Sequence, residues 1–250
     1  MKEWLETLKN TGSAIAENTG FFLAGIAVVA LILAVARGTE ILADRRNRRT
    51  KKKDGTRKMV TISMLSAIAV ILMLFEVPLP FLPAFYKIDL SELPVILGAF
   101  ALGPLAGVVI EFIKILLNLL VNGTQTAFIG EFANFLIGCA FVVPAAVAYY
   151  FKKTKKNALL GLLLGLVVCT VSGCLLNAYL LLPAYGRAFH MEVDQLVAMG
   201  TAVNAGIHSL LSFVILATAP LNVMKCAIVT VLTMLTYKPL SRILKGSSAQ

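Results

Sequence analysis

The chain has 250 residues, of which 58% are hydrophobic and 14% charged, with a mean hydropathy of +0.85. A soluble globular domain carries roughly 45–50% apolar and about 25% charged residues, so a water-soluble fold is excluded. The apolar runs are continuous rather than alternating, which excludes a transmembrane barrel and leaves a polytopic all-α membrane protein. The formal charge of +10 does not imply nucleic acid, because the basic residues gather between apolar runs, where membrane topology uses them.

In chain order, residues 1–36 combine an amphipathic piece, Met1 to Asn18, with an apolar run from Gly20 to Ala36. The start reads as a retained anchor rather than a signal peptide, since Met1 to Gly20 carries two lysines against three glutamates and a basic cluster follows the apolar run. The run reads as an extra membrane helix that places the N-terminus outside. Residues 37–58 form a basic linker with ten Lys/Arg against three Asp/Glu, cytoplasmic by the positive-inside rule. Residues 59–245 form the main membrane domain, and residues 246–250 a tail.

Within that domain Met59 to Phe75 crosses outward. Glu76 to Glu92 is an outer loop, because Pro78, Pro80 and Pro83 prevent a regular helix. Leu93 to Leu102 is apolar but covers only about 15 Å of a roughly 30 Å hydrocarbon core, and Gly103-Pro104 ends it. Leu105 to Val121 crosses next, Asn122-Gly123-Thr124 turns the chain, and Phe128 to Tyr150 returns inward. Lys152, Lys153, Lys155 and Lys156 mark an inner loop. Ala158 to Leu181 goes outward, Leu182 to Asp194 is an outer loop, and Pro220 to Lys238 goes inward. Gln195 to Ala217 is long enough to span, but spanning would put the C-terminal lysines outside. It reads as a helix at the outer face, or as a bent helix continuing into the last crossing.

Intramembrane polar residues are costly and point to function. Asp89, Glu92, Glu131, Asn134, Asn177, Asn222 and Lys225 all fall toward the outer end of the bundle. Asn222 and Lys225 are three apart and share a helix face. Asparagine amides both donate and accept, as a neutral heterocycle or polyol requires, and carboxylates with lysine suit hydroxyl groups. Phe75, Phe81, Phe85 and Tyr86 are available to cover a flat ring. Glu111 and Lys114, deeper in the bundle, read as an internal ion pair. Gly103/Gly107 and Gly161/Gly165 read as internal close packing. Cys139, Cys169, Cys174 and Cys226 read as buried small side chains, with no metal-ligand spacing. No GxxxxGK[ST] loop or nucleophile–base arrangement is present, so the chain reads as a non-enzymatic subunit energised by a partner.

Four stretches together carry a resemblance: "YKIDLSELPVILGAFALGPLAGVVIEFIKILLNLL" from Tyr86, "GEFANFLIGCAFVVPAA" from Gly130, "LLNAYLLLPAY" from Leu175 and "APLNVMKCAIVTVLTMLTYKPLS" from Ala219. Over roughly Lys58 to Lys245 the chain resembles the riboflavin-specific substrate-binding membrane subunits (S components) of energy-coupling factor transporters. The resemblance implies a six-helix bundle, here with an additional N-terminal helix, in the cytoplasmic membrane of a prokaryote. It implies riboflavin as the transported ligand, no cofactor, and as partners a transmembrane coupling subunit (T component) and two ATP-binding cassette ATPases. The stretch Tyr86 to Ser91 corresponds to the family's lid, with Tyr86, Lys87, Asp89 and Leu90 expected on the vitamin. Asn177 corresponds to the ring-binding asparagine, and Asn222 with Lys225 to the N-x-x-K pair of the last helix. Asn134 and Glu131 fall in the family's G-E-x-x-N pattern, with Glu131 and Thr124 expected to support the site. The family's small-residue docking motif on the first bundle helix reads Ser63-x-x-x-Ala67 here, serine replacing alanine. Two alternatives stand beside this: an S component for another vitamin or precursor, and a non-transport structural membrane protein.

Overall fold

The computed structural model describes residues 19–48, 55–83, 86–124, 128–189 and 191–245. The amphipathic segment 1–18, the middle of the basic linker, Phe85 and the tail lie outside the described residues. Among those described, six helices are long and apolar enough to cross a membrane: Gly25–Arg46, Gly55–Leu74, Pro104–Asn122, Ile129–Phe151, Lys155–Arg187 and Leu210–Tyr237. Helix α1 is Thr19–Arg46, α2 Gly55–Leu74, α3 Glu92–Leu102, α4 Pro104–Asn122 and α5 Ile129–Phe151. Helix α6, Lys155–Leu176, runs through a π-helical turn, Asn177–Leu181, into α7, Leu182–Phe189. After α8, Val193–Val203, comes a single turn α9, Leu210–Phe213. A second π-turn, Val214–Thr218, then leads into α10, Ala219–Lys245. The all-α architecture, with its extra N-terminal apolar helix, is the expected one.

Two boundaries differ from expectation, each for a physical reason, and a third segment resolves between the two readings offered for it. The first apolar helix does not stop at Ala36 but continues to Arg46, through residues expected to be linker. Its polar extension is engaged by the bundle through an ion pair and two hydrogen bonds. Glu40 is buried between Arg37 at 3.6 Å and Lys58 at 3.7 Å. Asp44 accepts from the Tyr150 hydroxyl at 2.8 Å, and Asn47 donates to the Phe151 carbonyl at 3.0 Å. The segment from Leu182, expected as a loop, is helical through Phe189. Proline lacks the N–H of a regular helix and crowds the carbonyl four residues back. Pro183 and Pro220 each sit two residues past a π-turn, whose i→i−5 bonds (Leu182 N–H to Asn177 O, Ala219 N–H to Val214 O) let the helix pass the proline. The stretch from Gln195 to Ala217 is divided. Its first half is α8, and its second half joins the last crossing as the bent helix anticipated, with Asn204 and His208 in the break between.

The loop after α2 forms a small antiparallel hairpin, β1 (Val77–Pro78) with β2 (Lys87–Ile88), in the register Val77 to Ile88 and Pro78 to Lys87. Helix α3 has eleven residues and ends at Gly103, whose φ of 112° suits glycine, before Pro104 opens α4. An inner core gathers α3, α5 and α10, with Phe100 stacked on Tyr149 at 4.4 Å and Tyr237 edge-on to both. An outer cluster joins the hairpin loop to α7, α8 and α9 through Leu82, Tyr86, Leu182, Leu196 and Phe213. Helix α1 packs on α4 and α5 through Ala36, Val108, Ile115 and Phe135. The glycine pairs serve internal packing. A side chain at Gly161 would meet the Ala145 carbonyl, one at Gly165 the Phe141 carbonyl, and one at Gly107 the Ala99 side chain.

Candidate ligand-binding site

A cavity of about 550 Å³ opens among the hairpin, α2, the start of α3, α4, α5, α6, the first π-turn and α10. Its size lies in the range of roughly 300–1,000 Å³ usual for small-molecule sites. Tyr86, Lys87, Asp89, Asn134, Asn177, Asn222, Lys225 and Glu131 all line it. Leu90 and Thr124 do not. Leu90 is half-buried at the entry to α3, its carbonyl accepting from Leu93 N–H at 3.1 Å. Thr124 is exposed and acts through a neighbour, donating to Glu131 Oε2 at 3.0 Å. Ser63 and Ala67 are exposed on α2 beside Val60, Met64 and Ile71, off the cavity wall. Phe75 and Phe81 are exposed and do not reach the cavity; its aromatic lining is Tyr86, Phe141 and Tyr185.

Two polar latches tie the hairpin segment to the helices. In the first, the Tyr86 hydroxyl donates to Asn177 Oδ1 at 2.7 Å. That commits the phenol proton, so the 2.7 Å contact with Thr218 Oγ1 is a bond donated by the threonine. Burial pushes the Tyr86 phenol well above its ordinary value, with the Thr218 bond opposing, so the hydroxyl stays a donor. Asn177 and Thr218 both belong to π-turns, where the altered backbone path brings both side chains to the Tyr86 hydroxyl. The Asn177 amide nitrogen donates to Gly173 O at 2.8 Å, and Asn222 to Thr218 O at 2.9 Å. Gly173 leaves room for Asn222, since a Cβ there would lie 2.7 Å from its amide nitrogen. Asn134 makes no side-chain hydrogen bond among the described residues and faces the cavity with its amide uncommitted.

The second latch is ionic. Lys225 Nζ lies 2.9 Å from Asp89 Oδ2 and 3.9 Å from Glu92 Oε1. Burial alone would raise the Asp89 carboxyl. The ammoniums of Lys225 and Lys114, with hydrogen bonds from Ser91 and Lys225, override it and hold the group well below the usual carboxylate range. Its other oxygen accepts from Ser91 N–H at 2.8 Å, the turn that leads into α3. Behind it, Lys114 is fully buried, 2.8 Å from Glu92 and 2.8 Å from Glu111. The Glu111–Lys114 ion pair read from spacing is therefore present, with Glu92 as a third member. Lys87 pairs with Glu76 at the outer rim, where both are substantially exposed. Among the described residues, no group of three or more His, Cys, Asp or Glu side chains is placed to hold a metal ion.

Residues 57–237 match the family described as the ECF transporter, substrate-specific component. The chain belongs to that family. Relatives of this S component include riboflavin transporter RibU of Staphylococcus aureus (strain TCH60), 34% identical over 198 residues, covering 79% of this chain and 97% of the relative. Riboflavin transporter FmnP of Bacillus subtilis (strain 168) is 36% identical over 182 residues, covering 72% and 90%. Among solved structures, the S component of a bacterial ECF transporter superposes with a TM-score of 0.60 at 32% identity, over 76% of this chain and 99% of that one. The S component is accordingly a multi-pass membrane protein. Helix α1 lies outside the family match.

Sequence reasoning missed Asn118, which lines the cavity, and Thr218, which bonds the Tyr86 hydroxyl. Thr218 is four residues before Asn222 and hence on the same helix face, a signal that was available. Asn118 likewise follows Lys114 by four.

Proposed function

We propose that this S component binds riboflavin in the cavity beneath the hairpin and supplies it to an ATP-driven uptake complex containing a T component and two ATPases. The observation that carries the reading is the convergence of Asn134, Asn177, Asn222 and Lys225, from three helical segments, on one cavity beneath Tyr86. Amides that donate and accept suit the edge of a neutral heterocycle, and the lysine with nearby carboxylates suits a polyhydroxyl chain. The relatives, both riboflavin transporters, support the same ligand. In this reading the hairpin is the lid, and Ser63 with Ala67 forms the face that docks on the T component. That face is lined by small and apolar side chains and left uncovered. Energy for transport comes from the ATPases, and the vitamin is not chemically altered.

The test is a fluorescence titration of riboflavin into the purified chain, expressed without partners. Quenching that saturates at one-to-one stoichiometry is expected. Folded protein that neither carries a flavin chromophore nor quenches added riboflavin overturns the assignment.

A further inference from the structure

Glu92 has a feature that the latches described above leave unused. Its Oε1 is held by Lys114 at 2.8 Å, while its Oε2 is buried and accepts no hydrogen bond among the described residues. An unpaired buried carboxylate oxygen is expensive, so such an acceptor marks a place where a donor belongs. The nearest ammonium not already committed to this carboxylate is Lys225, whose Nζ lies 3.9 Å from Glu92 Oε1 against 2.9 Å from Asp89 Oδ2. Asp89 precedes the Ser91 turn and Glu92 is in the first turn of α3, so an opening hinged at that turn would carry Asp89 away and leave Glu92 in place.

We propose that Glu92 is a positioning residue that takes over the Lys225 ammonium when the lid opens, keeping it in the cavity for the incoming ligand. The proposal rests on the lid reading given under Proposed function. Charge arithmetic favours it. Closed, the cluster holds three carboxylates (Asp89, Glu92, Glu111) and two ammoniums (Lys114, Lys225). When Asp89 leaves with the lid, two carboxylates face two ammoniums. Without Glu92, opening would strand Lys225 without a counter-charge, and an uncompensated buried charge is strongly destabilising. With Glu92, a shift of about 1 Å replaces one ion pair by another.

Hydrogen–deuterium exchange of the Tyr86, Lys87 and Ile88 amides in the full-length, ligand-free protein reads the opening equilibrium directly. Glu92→Gln should slow lid exchange by about tenfold, because it penalises the open state more than the closed one, in which Asp89 still holds Lys225 and Glu111 still holds Lys114. Asp89→Asn and Lys225→Met should accelerate it, and Glu92→Gln should have no further effect in the Lys225→Met background. A side chain that merely stiffened the fold would give the opposite sign. Faster or unchanged lid exchange in Glu92→Gln, or the same slowing with and without Lys225, overturns the proposal. Glu92→Gln leaves Lys114 paired with Glu111 and should fold. If it does not, Glu92→Asp, which withdraws the carboxylate from Lys225, should also slow exchange, and unchanged exchange there overturns the proposal. Riboflavin binding by the wild-type chain is scored separately, so failure of the ligand assignment and failure of the Glu92 role give different results.

Discussion

Replacing Lys225 by alanine removes a cation that both lines the cavity and ties Asp89 of the hairpin segment to α10. The side chains of Lys225 and Asp89 are 18% and 11% exposed, so the near-zero worth of a fully solvated pair does not apply. A hydrogen bond to a charged group contributes about 1.5–3 kcal/mol. Loss of one such bond from the closed, ligand-bound state weakens riboflavin binding by roughly 10- to 150-fold. Alanine also leaves Asp89, Glu92 and Glu111 facing Lys114 alone, which repels the lid from α3 and pushes the effect toward the upper end of that range. The assay is riboflavin fluorescence quenching, with circular dichroism to show that the helical content is retained. A folded Lys225→Ala protein whose Kd stays within about threefold of wild type would refute the placement of this ammonium at the ligand.

Asn177→Ala removes the acceptor of the Tyr86 latch together with an amide on the cavity wall, and should weaken riboflavin binding about tenfold or more, read by the same titration. The Asp89–Lys225 pair should be insensitive to mild acid. A carboxyl held below its ordinary value of 3.8 contributes stability that is fully present above that value and is lost only as pH falls through the lower, folded one. Riboflavin affinity should therefore stay flat from about pH 8 to about pH 5, and a transition within that window would show that another group controls the lid. Ala67→Trp should leave riboflavin affinity unchanged and abolish uptake by cells carrying the whole transporter; normal uptake would remove Ala67 from the docking face. Gly165→Leu drives a side chain into the Phe141 carbonyl and should cost about 1–3 kcal/mol or more, measured as a lowered thermal midpoint in detergent.

The long crossings were legible because apolar runs of membrane length and clusters of lysine and arginine are local signals, and the Glu111–Lys114 pair because three-residue spacing fixes a shared face. Most cavity residues were legible for a related reason: polar groups in apolar helices are few, and topology gathered them at one end. What escaped was set by partners distant in sequence. Helix α1 continues past Ala36 because Glu40 and Asp44 find Lys58 and Tyr150, which no local pattern announces. The continuation through Pro183 escaped because proline is a helix breaker unless a π-turn absorbs it. The aromatic lining was misassigned from loop residues Phe75 and Phe81. Phe141 and Tyr185 lie in helices, and only packing decides that their rings meet the cavity.

The half-length helix explains why charges stand beside it. Eleven residues at 1.5 Å each give α3 about 16 Å, half of the roughly 30 Å of hydrocarbon. With its Gly103 end seated near the inner core, its first turn lies well below the outer surface, and the chain entering it must descend to the same depth. Asp89, Ser91 and Glu92 are therefore carried into the bundle by the geometry of a short helix, with Glu92 in the first turn where the helix dipole favours a carboxylate. Water is scarce there, so each group must be answered from a neighbouring helix. Lys114 of α4 answers Glu92 and Ser91, and Lys225 of α10 answers Asp89. A full-length helix would have kept these charges at the interface and closed the space they now border. The shortened helix thus makes the cavity and the ionic latch together, and a ligand that competed for the Lys225 ammonium would loosen the hold of α10 on the hairpin segment.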